Sequence, residues 1–86
     1  MPEIEVYTQN WCPFCARAMN LLSGKGVPVT EIEAPHGSTA RTEATRRSGG
    51  RTTMPQIFIG GRHIGGCDEL LALERAGKLD PLLRAA

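Results

Sequence analysis

Cys12 and Cys15 place two thiols two residues apart, with Pro13 and Phe14 between them. At that spacing the sulfurs can close a disulfide with each other or hold a metal together. Only a thiolate attacks a disulfide or binds a metal, so the question is where a negative charge on sulfur would be stabilised. Before the pair, Ile4, Val6 and Tyr7 stand among Glu3, Glu5 and Thr8 in the period-2 pattern of a strand, and after it the apolar residues follow helical spacing. The pair is therefore expected at a strand-to-helix turn. The first turn of a helix carries unpaired N–H groups and the positive end of the helix dipole, both of which favour an anion. Pro13 suits the first helical position, where its fixed φ fits and its missing N–H has no partner to lose. A thiol so placed has its pKa lowered from about 8.5 to roughly 3.5–7.5. Cys12 is expected to attack. Cys15, one turn inside the helix, is expected to be more buried, less acidic and to resolve.

The elements that must position this pair can be read from the rest of the chain. The strand Glu3 to Thr8 leads into a helix from Pro13 to about Ser23, with Ala18, Leu21 and Leu22 on one side and Arg17 and Asn20 on the other, ended by Gly24 and Gly26. Val27 to Glu33 predicts a short strand near an edge, because Pro28 interrupts it. Strand, helix and strand at this length form a right-handed βαβ unit with two parallel strands. Ser38 or Thr39 caps a second helix running to about Ser48 and closed by Gly49 and Gly50, which has little apolar surface and is expected to turn its arginines outward. Gln56 to Ile59 is a strong strand signal, followed by a glycine hairpin turn into Arg62 to Ile64. Gly65-Gly66-Cys67-Asp68 opens a third helix whose Leu70, Leu71, Leu73 and Leu79 face the core, and Asp80-Pro81 starts a last turn. The expected fold is α/β and thioredoxin-like, in the order βαβαββα. It has a four-stranded mixed sheet, two strands parallel and two antiparallel, with helices on both faces.

A chain of 86 residues without repeat or linker is expected to be one domain, residues 1–86, burying about 60–65% of its unfolded surface in one core. Three cysteines are too few for a stapled secreted fold, and the N-terminus lacks a basic segment followed by an apolar one. A cytoplasmic protein is expected. Ten Lys and Arg against nine Asp and Glu leave no field to recruit nucleic acid or an anionic membrane, and nothing predicts more than a monomer. Zinc usually takes four ligands and no second close pair is present, so no metal site is expected. His36 and His63 are read as ordinary histidines.

Tyr7-Thr8, Cys12-Pro13-Phe14-Cys15, Thr53-Met54-Pro55 and Gly65-Gly66-Cys67-Asp68, in this order and spacing, resemble the dithiol glutaredoxins, and most closely those of the bacterial glutaredoxin 3 type. The run Arg51 to Ile59 and the closing Leu79 to Leu83 extend the resemblance over nearly the whole chain. It implies a glutathione-dependent thiol–disulfide oxidoreductase that reduces glutathione mixed disulfides and protein disulfides. Its reductant and co-substrate would be glutathione, recycled indirectly by glutathione reductase, and its partners glutathionylated or disulfide-containing proteins. The resemblance assigns catalysis to Cys12 and Cys15. It assigns glutathione binding to Phe14, Thr53, Met54 and Pro55 on one side, and to Gly66, Cys67 and Asp68 on the other. Pro55 would be a cis-proline presenting the Met54 backbone as an open edge, and the third helix would hold the γ-glutamyl end.

The chain departs from the common pattern of that family at Gln9, where many members carry lysine, at Phe14 for tyrosine and at Met54 for valine. Arg41 is a candidate to replace the missing lysine at a substrate carboxylate. Cys67 is read as structural ahead of redox-active, and Trp11 as either an exposed turn residue or a contact for protein substrates. Two rivals are carried: a protein holding an iron–sulfur cluster between two chains, and a redoxin reduced directly by thioredoxin reductase.

Overall fold

The computed structural model describes residues 2–85; Met1, within the N-terminal stretch considered above, and Ala86 lie outside it. The elements are β1 (Ile4–Thr8), α1 (Pro13–Gly24), β2 (Thr30–Glu33), α2 (Thr39–Arg47), β3 (Gln56–Ile59), β4 (Arg62–Gly65), α3 (Cys67–Arg75) and α4 (Leu79–Arg84). The strands form one mixed sheet in the order β2-β1-β3-β4. β1 runs parallel to β2 and antiparallel to β3, which pairs antiparallel with β4. This is the expected sheet. No helix among the described residues is long and apolar enough to cross a membrane.

Two apolar clusters sandwich the sheet, as alternation along β1 and β3 demands. Ile4, Val6, Ile57 and Ile59 pack with Ala18 and Leu22 of α1, Leu70 of α3, and Leu79 and Leu83 of α4. Tyr7 and Phe58 pack on the other side with Cys15, Ala34, Met54 and Ala44 of α2. The glycine hairpin forms at Gly60-Gly61, whose φ values of 60° and 79° suit a two-residue turn matched to strand twist.

The structure departs from sequence expectation in five places. β2 begins only at Thr30, and Val27 and Val29 instead pack against the first cluster from the preceding loop. Thr8 is buried rather than exposed, its hydroxyl donating to Glu31 Oε2 at 2.8 Å. Leu71 is only half-buried and belongs to neither cluster. The last turn is a separate helix, α4, so the order gains an eighth element. Pro81 is tolerated there because it falls in the first turn, and Lys25 ties that end to α1 by pairing with Glu74 (2.7 Å) and Asp80 (2.9 Å).

The fifth departure concerns the arginines of α2, two of which turn inward. Arg47 donates to Glu5 Oε1 at 3.0 Å and to the Tyr7 hydroxyl at 2.8 Å, and its guanidinium lies 4.0 Å from the Phe58 ring centroid. Tyr7 in turn donates to Glu43 Oε1 at 2.9 Å, and burial pushes its pKa up, keeping it a neutral donor. A helix too poor in apolar side chains to bury a greasy face is thus held by a charged side chain stacked on aromatic ones. Arg47→Ala would leave the Glu5 carboxylate unpaired. The expected cost is about 2–3 kcal/mol in urea unfolding, against less than about 0.5 kcal/mol for the exposed Arg46→Ala.

Candidate active site

Cys12 ends the loop after β1 and is the N-cap of α1. The Cys15 N–H points at Cys12 Sγ at 3.2 Å, and Pro13 takes the first helical position. The two cysteines are joined as a disulfide, with Cα atoms 5.2 Å apart. Cys15 is buried, 4% exposed, while Cys12 is only partly covered. A sulfur that accepts a helix N-terminal N–H is where a negative charge on sulfur gains most. The local sequence accounts for this placement. Trp11, just before it, adopts φ 57° and is 99% exposed, so the turn projects an indole into solvent beside the sulfur.

The loop before β3 meets this turn. The Met54–Pro55 peptide bond is cis, and the Met54 carbonyl oxygen lies 3.8 Å from Cys12 Sγ. Below it, Gln56, fully buried, donates to the Thr53 carbonyl at 2.9 Å and lies 2.8 Å from His63 Nε2. The Met54 side chain turns inward. It is 8% exposed and packs into the second core cluster, so its backbone, rather than its thioether, faces the site.

Beside the sulfur opens a groove of about 220 Å³. Thr53, Met54 and Pro55 form one side, Gly66, Cys67 and Asp68 the other, and Phe14 closes an end. All seven residues singled out for binding therefore line one cleft. Cys12 is not itself among the lining residues, but its sulfur stands 3.8 Å from the carbonyl oxygen of Met54, which is one of them. Cys67 is buried, and burial pushes its thiol pKa up, which suits a packing residue better than a nucleophile at neutral pH. Among the described residues no group of three or more His, Cys, Asp or Glu could hold a metal ion.

Sequence reasoning missed two lining residues, Arg51 and Glu69. Arg51 Nη1 donates to Glu69 Oε1 at 2.8 Å, and that oxygen also accepts the Gly66 N–H at 2.6 Å. The signal available was the spacing: a glutamate three residues after an N-cap reaches back to the cap N–H. Arg41 also departs from a solvated role, donating to Gln9 Oε1 (2.6 Å), the Ala34 carbonyl (3.0 Å) and the Thr52 carbonyl (2.7 Å). It ties the ends of β1 and β2 to the loop that carries Met54.

A strand-to-helix disulfide, beside a cis-proline loop on a mixed sheet with helices on both faces, defines a thiol–disulfide oxidoreductase of the thioredoxin-like class. The glutaredoxin family model matches residues 4–64. A glutaredoxin of Pseudomonas aeruginosa is 54% identical over 99% of this chain and 100% of its own length. Glutaredoxin 3 of Escherichia coli K12 is 52% identical over 98% of this chain and 100% of its own. Among solved structures, a Brucella melitensis glutaredoxin superposes with a TM-score of 0.84 at 52% identity, covering 98% of this chain and 90% of that one. A buckwheat glutaredoxin–glutathione complex also reaches 0.84, at 33% identity, covering 95% of this chain and 76% of that one. The chain belongs to the glutaredoxin family.

The Gly66 N–H and, next, Arg51 hold the Glu69 carboxyl below its ordinary pKa of 4.5. A depressed folded-state pKa contributes stability above the unfolded value, and that stability is lost as pH falls through the folded one. The melting temperature of wild type relative to Glu69→Gln is therefore expected to be constant above the ordinary glutamate range and to fall steadily as the pH is lowered through and below 4.5.

Proposed function

We propose that this protein reduces glutathione mixed disulfides and protein disulfides, with glutathione as its electron source. The observation that carries it is the sulfur of Cys12 capping α1 3.8 Å from the Met54 carbonyl, where Met54 lines a groove with a backbone edge on one side and a helix N-terminus on the other. Cys12 is the nucleophile. Its thiolate attacks the glutathione sulfur of a mixed disulfide, releases the substrate thiolate, which takes up a proton, and becomes glutathionylated. A second glutathione thiolate then attacks that glutathione sulfur, forming oxidised glutathione and restoring Cys12. With a protein disulfide, Cys15 attacks the mixed disulfide on Cys12, expels the substrate's second thiol and closes the Cys12–Cys15 bond. Two glutathiones reopen it.

In this reading the Met54 backbone pairs with the cysteinyl backbone of glutathione as an added strand would, flanked by Thr53 and Pro55, with Phe14 as an apolar wall. Beside Gly66, whose own N–H is taken by Glu69, the N–H groups at Cys67 and Asp68 donate to the γ-glutamyl carboxylate, and the Asp68 carboxylate pairs with its ammonium. Arg41, held beside Gln9, supplies the cation for the glycine carboxylate. The likeness to a glutaredoxin solved with glutathione supports the ligand. Residues 1–86 act as a single domain and as a monomer in the cytoplasm, and glutathione reductase of the host returns the oxidised glutathione.

Turnover of a small glutathione mixed disulfide, coupled through glutathione reductase, tests this. Cys12→Ser is expected to abolish activity, and Cys15→Ser to keep it with small mixed disulfides while losing reduction of protein disulfides. Alkylation of Cys12 in the Cys15→Ser protein is expected to follow a thiol pKa below about 7.5. Activity that survives in Cys12→Ser, or wild type inactive with glutathione, overturns the proposal.

A further inference from the structure

The groove contains an ion pair that neither sulfur chemistry nor backbone pairing requires. The Arg51 and Glu69 side chains are 41% and 45% exposed, too open for their contact to add much stability. Yet space is reserved for Glu69. Gly65 has φ 125°, and a Cβ there would lie 2.5 Å from Glu69 Oε1 and 2.8 Å from its Cγ. A Cβ on Gly66 would stand 3.3 Å from the Pro55 carbonyl and 3.5 Å from Arg51 Nη2. Gly65 thus lets Glu69 fold back over the start of α3, where Arg51 reaches it from the loop that carries Met54, and Gly66 keeps the Pro55 carbonyl uncrowded while Arg51 passes at ordinary contact distance.

Glu69 creates a difficulty at this place. Its carboxylate takes the Gly66 N–H and sets a full negative charge at the end of the helix where a substrate carboxylate would dock. Like charges so close repel in a partly desolvated cleft. Arg51, bonded to the same oxygen, cancels that charge. Asp68 stays on the rim for an ammonium.

We infer that Arg51 is a positioning residue that sets substrate specificity: by neutralising Glu69 it makes the α3 N-terminus receptive to the γ-glutamyl carboxylate. The groove then prefers disulfides that carry this group. The inference rests on the glutathione reading of the same groove.

The test compares two mixed disulfides of one reporter thiol, with glutathione and with N-acetylcysteinylglycine, which keeps the sulfur and the glycine end but lacks the γ-glutamyl zwitterion. Rate constants for the first attack are measured in single turnover with pre-reduced protein. Wild type is expected to prefer the glutathione substrate. Arg51→Gln is expected to slow that substrate about three- to tenfold and the other less than about twofold. Arg51→Lys should retain the preference. Arg51→Gln/Glu69→Gln should recover most of the loss, since the amide that replaces the carboxylate can accept the Gly66 N–H without a charge. Equal slowing of both substrates by Arg51→Gln, an unchanged preference, or a double variant as slow as Arg51→Gln overturns the inference and leaves the glutathione reading standing. Wild type that reacts equally with both substrates overturns the two together.

Discussion

The pairing of Tyr7 with Gln56, at the ends of β1 and β3, is the constraint on which the site depends. From Tyr7 the chain runs on into the turn that carries Cys12, and into Gln56 it arrives from the loop that carries Met54 and Pro55. Antiparallel register therefore delivers the sulfur and the backbone edge to the same end of the sheet, 3.8 Å apart. A slip of one residue would turn Ile57 and Ile59 away from the first core cluster and Phe58 away from the second. Core packing on two faces thus enforces the geometry found at one end of the sheet.

The two faces reach that packing by different means. On the side of α1, α3 and α4, aliphatic side chains close a conventional core. On the side of α2 there are few aliphatic residues to use, and the face is completed by Arg47 lying on Phe58 and bonded to Glu5 and Tyr7. Arginine is suited to this because its planar, weakly hydrated guanidinium can stack and donate at once. The same helix sends Arg41 to the carbonyls of Ala34 and Thr52, so α2 acts as a strut between the sheet and the loop beside Cys12.

Charge is handled differently inside the cleft. Helix N-termini at Cys12 and at Gly66 aim backbone N–H groups at sulfur in one case and at Glu69 in the other. The first is left for reaction. The second is occupied by a carboxylate whose charge is matched by Arg51, which leaves a polar but locally neutral cradle beside an electropositive one. In the proposed reading, a cleft so divided separates the place where electrons move from the place where a ligand is held.

Much of this was legible in the order of residues. The strand-to-helix turn and Pro13 at the first helical position appear where periodicity and turn chemistry put them, and of the alternatives these left open the structure takes Gly60-Gly61 over Gly61-Arg62 for the hairpin and Ser38 over Thr39 for the cap. These features are local, set within a few residues by backbone preference and side-chain period. Membership of one cleft for Phe14, Thr53, Met54, Pro55, Gly66, Cys67 and Asp68 was legible only through likeness to a known family. What tertiary structure alone decided were the partners of Arg41, Arg47 and Arg51, the inward turn of the Met54 side chain, the burial of Thr8 and the docking of α4. Glu5 and Arg47 are 42 positions apart, Gln9 and Arg41 are 32, and Arg51 and Glu69 are 18. An arginine in a helix has the same local signature whether it meets water or a distant carboxylate, because the difference lies in what strand register and helix packing bring opposite it.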